Sequence, residues 1–552
     1  MKFSIVKVTT TVGIFVLLTT TVLTVTVEDE LLTQFPNFQD RHIVFAGEHS
    51  DDDSIGPVPP LPECETIPSP PPRSEIKQFN ATFAAQLKKY LVNTTVGPCK
   101  EGAHNPSSTA LSGAFILGGK VDYFNFGCVD KTTPQKTPTT KTIYRLGSST
   151  KTFAVETVIK AFVDGKIDSL DDELRKYFPE FYIQNPFGSS QPTFRQMISQ
   201  LSGSPRGVPC QRPFCNITTS EMLGRISRNS KLMMPPWTKP SYSNMAYCVF
   251  SHLIAERLYN MPWSEFLDKH LVKPLGMKST GVNYTSTVRE KMVTNYLLNG
   301  DEAPFTRLGW VDPSGGVYST SEDMATWILH YLNEWKENTP TGQLRRNTMM
   351  QMFQNPGGFS GFGAPWEIFS SHGYAVRTKS GKLSGLTTHM GMVPELDFGV
   401  ILLWNGEGIE PVQNPSRPLF NAIIPSLRNQ YVNYHKLHFP QLSDYFLDNY
   451  VGLYHGFGAY PVVNATAVPS LNYTLVANID FGRAGVYYLK PQQSDDNSTF
   501  VFRIVDLQQQ MSCLNEEIMA NDGQWISFYP LSNGTKRFSL PWLQFANFTA
   551  TF

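Results

Sequence analysis

Two apolar stretches that lie far apart constrain the fold most: "ALSGAFILGGKVDYFNFGCV" at residues 110–129 and "FGVILLWNG" at residues 398–406. The first reads as two strands folded back on each other at Gly118-Gly119, and the second as a strand-length run rich in Val, Ile, Leu and Trp. A further strand pattern, "GYAVRTKSG" at residues 373–381, also comes late. Helix-patterned segments fill the interval, among them "KTFAVETVIKAFVDGKI" (151–167), an amphipathic helix expected to end at Gly165; "EIKQFNATFAAQLKKYLV" (75–92) precedes the first strands. Strands separated by so much chain cannot pair as a simple meander. An antiparallel sheet must gather chain-distant pieces with helices packed on it, which places the chain in the mixed α/β (α+β) class.

Texture changes along the 552 residues. Lys2 and Lys7 precede an uncharged apolar stretch from Val8 to Val27 that stops at Glu28, so residues 1–27 read as a signal peptide or signal anchor. Either role places the remainder on the extracellular or luminal side, secreted or N-terminally anchored. Residues 28–73 are acidic and then proline-dense, the composition of an extended linker. Residues 74–435 carry the helix and strand patterns expected of a catalytic domain. From 440 to 552, short alternating runs such as "GVYYLKP", "TFVFRIV" and "WISFYPL" read as a small all-β domain, a barrel or curved sheet.

Composition narrows the function. A 41% hydrophobic, 17% charged chain with formal net charge −1 has a core to bury and no basic stripe, so nucleic acid is not an expected partner. A small-molecule, peptide or ester substrate is expected instead, and composition leaves the oligomeric state open. Nine sequons, at Asn80, Asn93, Asn216, Asn283, Asn464, Asn472, Asn497, Asn533 and Asn547, suit an extracytosolic glycoprotein. Seven cysteines leave at least one without an intrachain partner. Cys210 and Cys215 are close enough in "CQRPFC" to staple a short loop, while Cys248, in an apolar helical pattern, is the candidate free thiol.

Three short motifs could carry chemistry. In "YRLGSSTKTF" Gly147 permits a sharp turn, Ser148 falls at the start of a helix, and Lys151 lies one turn on along the same face. Serine is a poor nucleophile until an adjacent base takes its proton, and a helix N-terminus favours the oxyanion formed on attack. Spacing alone favours a capping or surface role, since Ser74 and Lys77 in "SEIK" repeat it. In "PSYSNMAY" Tyr242 and Asn244 project to one side of an extended segment before a helix: a phenol near an ammonium can relay protons, and a carboxamide can orient a substrate amide. In "RTKSGKLSG" Lys379 supplies charge, the strand edge offers N–H groups to an oxyanion, and Gly381 admits substrate close to the backbone. His389 in "TTHMG" reads as sheet packing and Ser149 as a bystander.

Taken in this order, the motifs resemble the serine β-lactamase and penicillin-binding-protein superfamily, in its class C-like branch. "DGKIDSLDDELRKYFPEF", "TFRQMISQLSGSPRG", "LVKPLGMKSTGV" and "PSGGVYSTSEDMATWI" are similar to that family's connecting segments. The resemblance implies a β-lactamase/transpeptidase-like fold, with an antiparallel sheet flanked by helices, a helical lobe and a cleft between them. It implies Ser148 as the acylated nucleophile, Lys151 as its base or electrostatic partner and Tyr242 as the proton relay. Asn244, Lys379, Ser380, Gly381 and Lys382 would bind substrate, with the backbone N–H groups of Ser148 and Lys382 as the oxyanion hole. Ser380 stands where threonine is commoner, and the insert "VPCQRPFCNITTSEM" borders the cleft. The terminal β domain resembles lipocalin-like appendages of some relatives. The implied activity is an acyl-enzyme serine hydrolase acting on an amide, ester or lactam carbonyl, with no metal or organic cofactor. The alternative is a catalytically silent surface glycoprotein of the same fold. The chain has no Gly-x-Ser-x-Gly elbow and no His-Glu-x-x-His, so neither an α/β-hydrolase nor a zinc enzyme is supported.

Overall fold

The computed structural model describes residues 70–96, 99, 109–210, 214–349, 354–355, 358–372, 374–406 and 416–437, and the backbone of eight strands between 452 and 550. In chain order the first strands are β1 (Ala110–Leu117), β2 (Lys120–Gly127), β3 (Tyr144–Arg145), β4 (Tyr318–Ser319), β5 (Gln354–Asn355), β6 (Gly358–Phe362), β7 (Glu367–Ser371), β8 (Tyr374–Leu383), β9 (Leu386–Val393) and β10 (Phe398–Asn405). The longer helices are α1 (Ala81–Thr95), α2 (Lys151–Val163), α3 (Thr219–Asn229), α4 (Asn244–Leu253), α5 (Ser321–Lys336), α6 (Pro340–Met349) and α7 (Ser416–Leu437).

Eight of these strands form one antiparallel sheet in the order β2-β1-β10-β9-β8-β7-β6-β5, with β3 and β4 paired separately. The first hairpin therefore lies beside the last strand, with Ala114 opposite Ile401. Gly118 and Gly119 turn that hairpin at φ +58° and +78°, the left-handed pair that a two-residue turn of this hand requires. β1, β9 and β10 are buried along their whole length, because helices cover both sheet faces. Ala114, Ile116, Ile401 and Leu403 pack with Ile328 and Tyr331 of α5 on one face. Leu111, Phe115, Val400 and Leu402 pack with Leu87 and Leu91 of α1 and with Phe420, Ile423 and Ile424 of α7 on the other.

The helical lobe has its own core, in which Val155 and Val158 of α2 meet Met222 and Ile226 of α3 and Val249 and Phe250 of α4. α2 runs between the two cores, since its Phe153 stacks on Trp327 of α5 with ring centroids 4.0 Å apart. A helix buried on nearly every face cannot tilt without breaking one core or the other, and burying Phe153 alone contributes about 1.5–3 kcal/mol. Glu156 fixes the same helix by pairing with the buried Arg345 of α6, whose Nη2 donates to Glu156 Oε2 at 2.8 Å, and by accepting from Tyr331 Oη at 2.6 Å.

Helix boundaries follow the caps. The helix expected over residues 75–92 begins at Ala81, because Asn80 Oδ1 accepts from Phe83 N at 2.7 Å and fixes the first turn. α2 ends at Val163, and Gly165 at φ +65° takes the chain away. Strands β11 (Gly452–His455), β12 (Pro461–Val468), β13 (Thr474–Asp480), β14 (Ala484–Gln492), β15 (Phe500–Asp506), β16 (Trp525–Pro530), β17 (Lys536–Ser539) and β18 (Asn547–Ala550) form an antiparallel barrel. It closes where Tyr454 of β11 faces Ala550 of β18. The apolar N-terminal stretch and residues 28–69 of the expected linker lie outside the described residues, and no described helix is long and apolar enough to cross a membrane.

Candidate active site

The turn that presents Ser148 is set by backbone contacts on both sides. β3 pairs with β4, and Leu146 N donates to Val317 O at 2.7 Å. Gly147 then takes φ +53°, and a Cβ there would sit 2.7 Å from Lys382 N of β8, so glycine is required by conformation and by space. Residues 147–150 form a single 3₁₀ turn that runs directly into α2, which leaves Ser148 half-buried at the helix entrance. Ser149, expected to be a bystander, ties this turn to the sheet: its Oγ lies 3.1 Å from Thr388 Oγ1 of β9 and 3.3 Å from Lys379 O. Thr388 Oγ1 donates in turn to Leu146 O at 2.8 Å.

Lys151 is fully buried, one turn into the helix. Its Nζ donates to Asn244 Oδ1 at 2.7 Å and to Ser314 O at 2.7 Å, and lies 3.3 Å from Ser148 Oγ. Burial is the largest influence on this amine and, helped by the charge on Lys379, holds its pKa below the usual lysine value despite the opposing pull of Tyr242.

Tyr242 stands on the other side of Ser148, its ring centroid 4.8 Å from Lys151 Nζ, 5.5 Å from Lys379 Nζ and 4.9 Å from Arg206 Cζ. Burial pushes the phenol up, but Lys379 and Lys151 together with hydrogen bonds from Lys151 and Ser148 outweigh it, and the net shift is below the ordinary tyrosine value. Asn244 is not extended as expected: it opens α4, after Ser243 has capped the helix by accepting from Ala246 N at 3.0 Å. Its carboxamide oxygen is engaged by Lys151.

Lys379, Ser380, Gly381 and Lys382 lie on β8. This strand is interior to the sheet, yet its pairing with β7 stops where Glu367 faces Thr378, while pairing with β9 continues to Leu383. Beyond Thr378 the side that β7 leaves is turned towards the Gly147 turn. Gly381 is required by this approach, because a Cβ there would lie 1.8 Å from Leu146 O. Lys379 is 1% exposed, with its Nζ 2.5 Å from Glu367 Oε1 and 3.2 Å from Ser380 O. Ser380 Oγ lies 2.9 Å from Nδ1 of His389, which is buried in the sheet. Burial and the neighbouring Lys379 push His389 down to about 3, so the imidazole is neutral.

A cleft of about 420 Å³ opens over these groups, with Ser148, Tyr242, Asn244, Ser314 and Lys382 in its walls. Cys210 and Cys215 line it too and are joined in a disulfide, and a second disulfide links Cys99 to Cys128. Cys248 is free and buried, its thiol pushed up to about 12 by burial. Asn80, Asn93, Asn216 and Asn283 are exposed, whereas the side chains of Asn464, Asn472, Asn497, Asn533 and Asn547 lie outside the described residues. Sequence reasoning missed Ser314, Glu367, Thr388 and Arg206. Ser314 acts through a main-chain carbonyl, which any residue type supplies, and the other three are placed by register and loop path.

A fold with this sheet and a serine at the head of a buried helix is that of the serine β-lactamases and transpeptidases. A family model described as Beta-lactamase matches residues 105–418, more than half of the chain, and the chain belongs to that family of serine hydrolases. It is similar to a beta-lactamase-like protein of Homo sapiens, 30% identical over 310 residues, spanning 54% of this chain and 62% of that protein. The D-alanyl-D-alanine-carboxypeptidase/endopeptidase AmpH of Escherichia coli is 26% identical over 286 residues, 48% of this chain and 71% of that protein. The chain thus spans less than two thirds of the human relative's length. Among solved structures, a beta-lactamase/D-alanine carboxypeptidase from Yersinia pestis complexed with citrate shares the fold, with a TM-score of 0.50 at 24% identity over 62% of this chain and 99% of that one.

Proposed function

We propose that the chain is an extracytosolic serine hydrolase that turns over an amide, ester or lactam through an acyl-enzyme on Ser148. The observation that carries this reading is the set of contacts around Lys151 Nζ. Two short bonds, to Asn244 Oδ1 and Ser314 O, go to atoms that can only accept, and the third position points at Ser148 Oγ. In the neutral amine that burial favours, the two N–H bonds satisfy the acceptors and the lone pair faces the serine hydroxyl.

The chemistry then balances with the chain's own groups. Ser148 Oγ bonds to the carbonyl carbon as its proton passes to Lys151, and the oxyanion is met by the N–H groups of Ser148 and Lys382. As the tetrahedral species collapses, the bond to the leaving group breaks, and Tyr242, recharged from Lys151, donates the proton that this group needs. In the second half a proton of water passes through Tyr242 to Lys151, the hydroxide equivalent attacks the acyl carbon, and Lys151 returns that proton to Ser148 as the acid departs. The lowered phenol pKa supports this relay. Peptides ending in D-amino acids are a natural substrate class to test, since the Escherichia coli relative is named a D-alanyl-D-alanine-carboxypeptidase/endopeptidase.

Labelling tests the mechanism. A fluorophosphonate or penicillin-type probe followed by peptide mass spectrometry should give one adduct, on Ser148, that is lost in Ser148→Ala. Absence of labelling in the folded protein, or labelling that survives the substitution, would sink it and point to a silent glycoprotein. A panel of p-nitrophenyl esters, nitrocefin and D-amino-acid anilides would then rank the substrate classes.

A further inference from the structure

Lys379 is the cation that its motif offers to a substrate, but it is spent within the protein. It is 1% exposed, bound to Glu367 Oε1 at 2.5 Å, and not among the residues that line the cleft. The cleft carries charge of its own instead. Arg145, Arg206 and Lys382 line it, with no Asp or Glu among the described lining residues. Such a wall of one sign, backed by low-dielectric protein, concentrates potential in the space it encloses.

Arg206 is the cation best placed to meet a ligand. Arg145 is buried, donates from Nη2 to Thr306 O at 2.8 Å and lies 5.1 Å from the Phe305 ring centroid, so its guanidinium is held by the fold. Arg206 is exposed, and among the described residues no carboxylate pairs with it; its guanidinium rests 4.9 Å from the Tyr242 ring centroid. Its backbone is fixed: Arg206 O accepts from Asn244 N at 2.8 Å, and Pro205 O accepts from Ser243 Oγ at 2.7 Å. Immediately beyond it Gly207, Val208 and Cys210 continue the same wall. The Cys210–Cys215 bridge anchors that wall across the cleft, since Cys215 N donates to Leu308 O at 3.3 Å and Trp310 N to Cys215 O at 2.9 Å. A long charged side chain on a rigid base, touching the ring of the candidate proton relay, is positioned to read the substrate rather than to support the fold.

We propose that the cleft selects substrates that carry a carboxylate beside the Cys210–Cys215 wall, and that Arg206 is the residue that selects them. The proposal rests on the serine-hydrolase reading for what the substrate is, but not for whether the anion binds. Guanidinium matches carboxylate geometry with two parallel N–H donors, so a point charge on lysine replaces it only in part.

The test compares two anilides that differ in one charge, glutarate monoanilide and butyranilide, by calorimetric titration of the Ser148→Ala protein. The acidic anilide should bind at least about tenfold more tightly, with a preference that weakens as salt rises. Adding Arg206→Gln should bring the ratio of the two affinities to about one, and Arg206→Lys should restore part of it. Equal affinity for the two anilides, no detectable binding of glutarate monoanilide, or a preference that persists in Arg206→Gln would each overturn the proposal. Fluorophosphonate labelling of the unsubstituted protein reports separately on Ser148, so a silent serine and a wrong anion site give different results.

Discussion

Lys379 Nζ and Glu367 Oε1 lie 2.5 Å apart, a cation 2% exposed at its side chain against a carboxylate on the neighbouring strand. Glu367 outweighs the desolvation that would otherwise pull Lys379 down, and the lysine pKa is held above its usual value. The charge on Lys379 is therefore permanent across the working range. It acts on Tyr242 and Lys151 through space.

Removing that charge should move the pH dependence of acylation. Lys379 lowers the pKa of both Tyr242 and Lys151, so whichever of the two loses the critical proton, its titration lies below the ordinary value while Lys379 is present. In Lys379→Met both groups should titrate at higher pH, and the unpaired Glu367 carboxylate would push in the same direction. Second-order labelling rates measured from pH 6 to 10 should show the ascending limb displaced to the alkaline side, with no comparable shift in Lys382→Met. A limb that stays in place would show that Lys379 does not tune the proton relay.

The approach between β8 and the nucleophile turn should be intolerant of one methyl group. A Cβ on Gly381 would lie 1.8 Å from Leu146 O and 2.7 Å from Thr388 Oγ1, neither of which is a flexible chain end. Gly381→Ala must therefore push the strand from the turn, separating Ser148 from Lys382. A displacement on the order of 1 Å at a reacting centre costs about 10²-fold in rate. Labelling of Ser148 should slow by at least that factor in a protein whose far-ultraviolet circular dichroism is retained. A rate within threefold of the unsubstituted protein would contradict the packing described.

Groups that act through side chains in short-range motifs were legible in the sequence, and groups that act through backbone or register were not. Ser148, Lys151, Tyr242 and Asn244 stand in local patterns, and the structure brings all four to one point. Ser314 contributes a carbonyl from 163 residues away, which no residue type announces. Glu367 meets Lys379 because β7 begins where it does, and a one-residue slip would turn it to the opposite face. Gly381 was legible as a glycine with a purpose, but its close approach to the Leu146 carbonyl of the neighbouring turn needed the third dimension. The sheet was legible because strand pattern returns so late, whereas the Cys99–Cys128 pairing could not be told from other pairings by spacing.

His389 should make the fold acid-sensitive. Its folded pKa is pushed down to about 3 from an ordinary 6.5, so the unfolded chain binds the proton first and stability falls as pH drops from about 6.5 towards 3. The slope from one such group approaches about 1.4 kcal/mol per pH unit inside that window. His389→Asn cannot titrate there, so its denaturation midpoint should fall less than that of the unsubstituted protein between pH 7 and pH 4.5. Parallel pH profiles for the two proteins would remove His389 as the cause.

The Glu156–Arg345 pair also weakens the fold in acid, and breaking it from one side should reverse that trend. Burial pushes Glu156 up, but Arg345, His330 and Tyr331 outweigh it and hold the carboxyl below its usual value, so its stabilisation is present at neutral pH and lost in acid. Arg345 also lies 2.5 Å from Glu334 Oε2, so Arg345→Met strands two carboxylates beside α2. Breaking a buried pair from one side costs about 3–5 kcal/mol at neutral pH. With its partner gone, Glu156 is governed by burial, its folded pKa lies above the unfolded one, and protonation then relieves the penalty. The loss of stability in Arg345→Met should therefore be largest at pH 7 and smaller at pH 5, and Glu156→Gln in the same chain should recover part of it at pH 7. A penalty equal at both pH values, with no recovery in the double variant, would mean that Arg345 stabilises α2 by packing and not by charge.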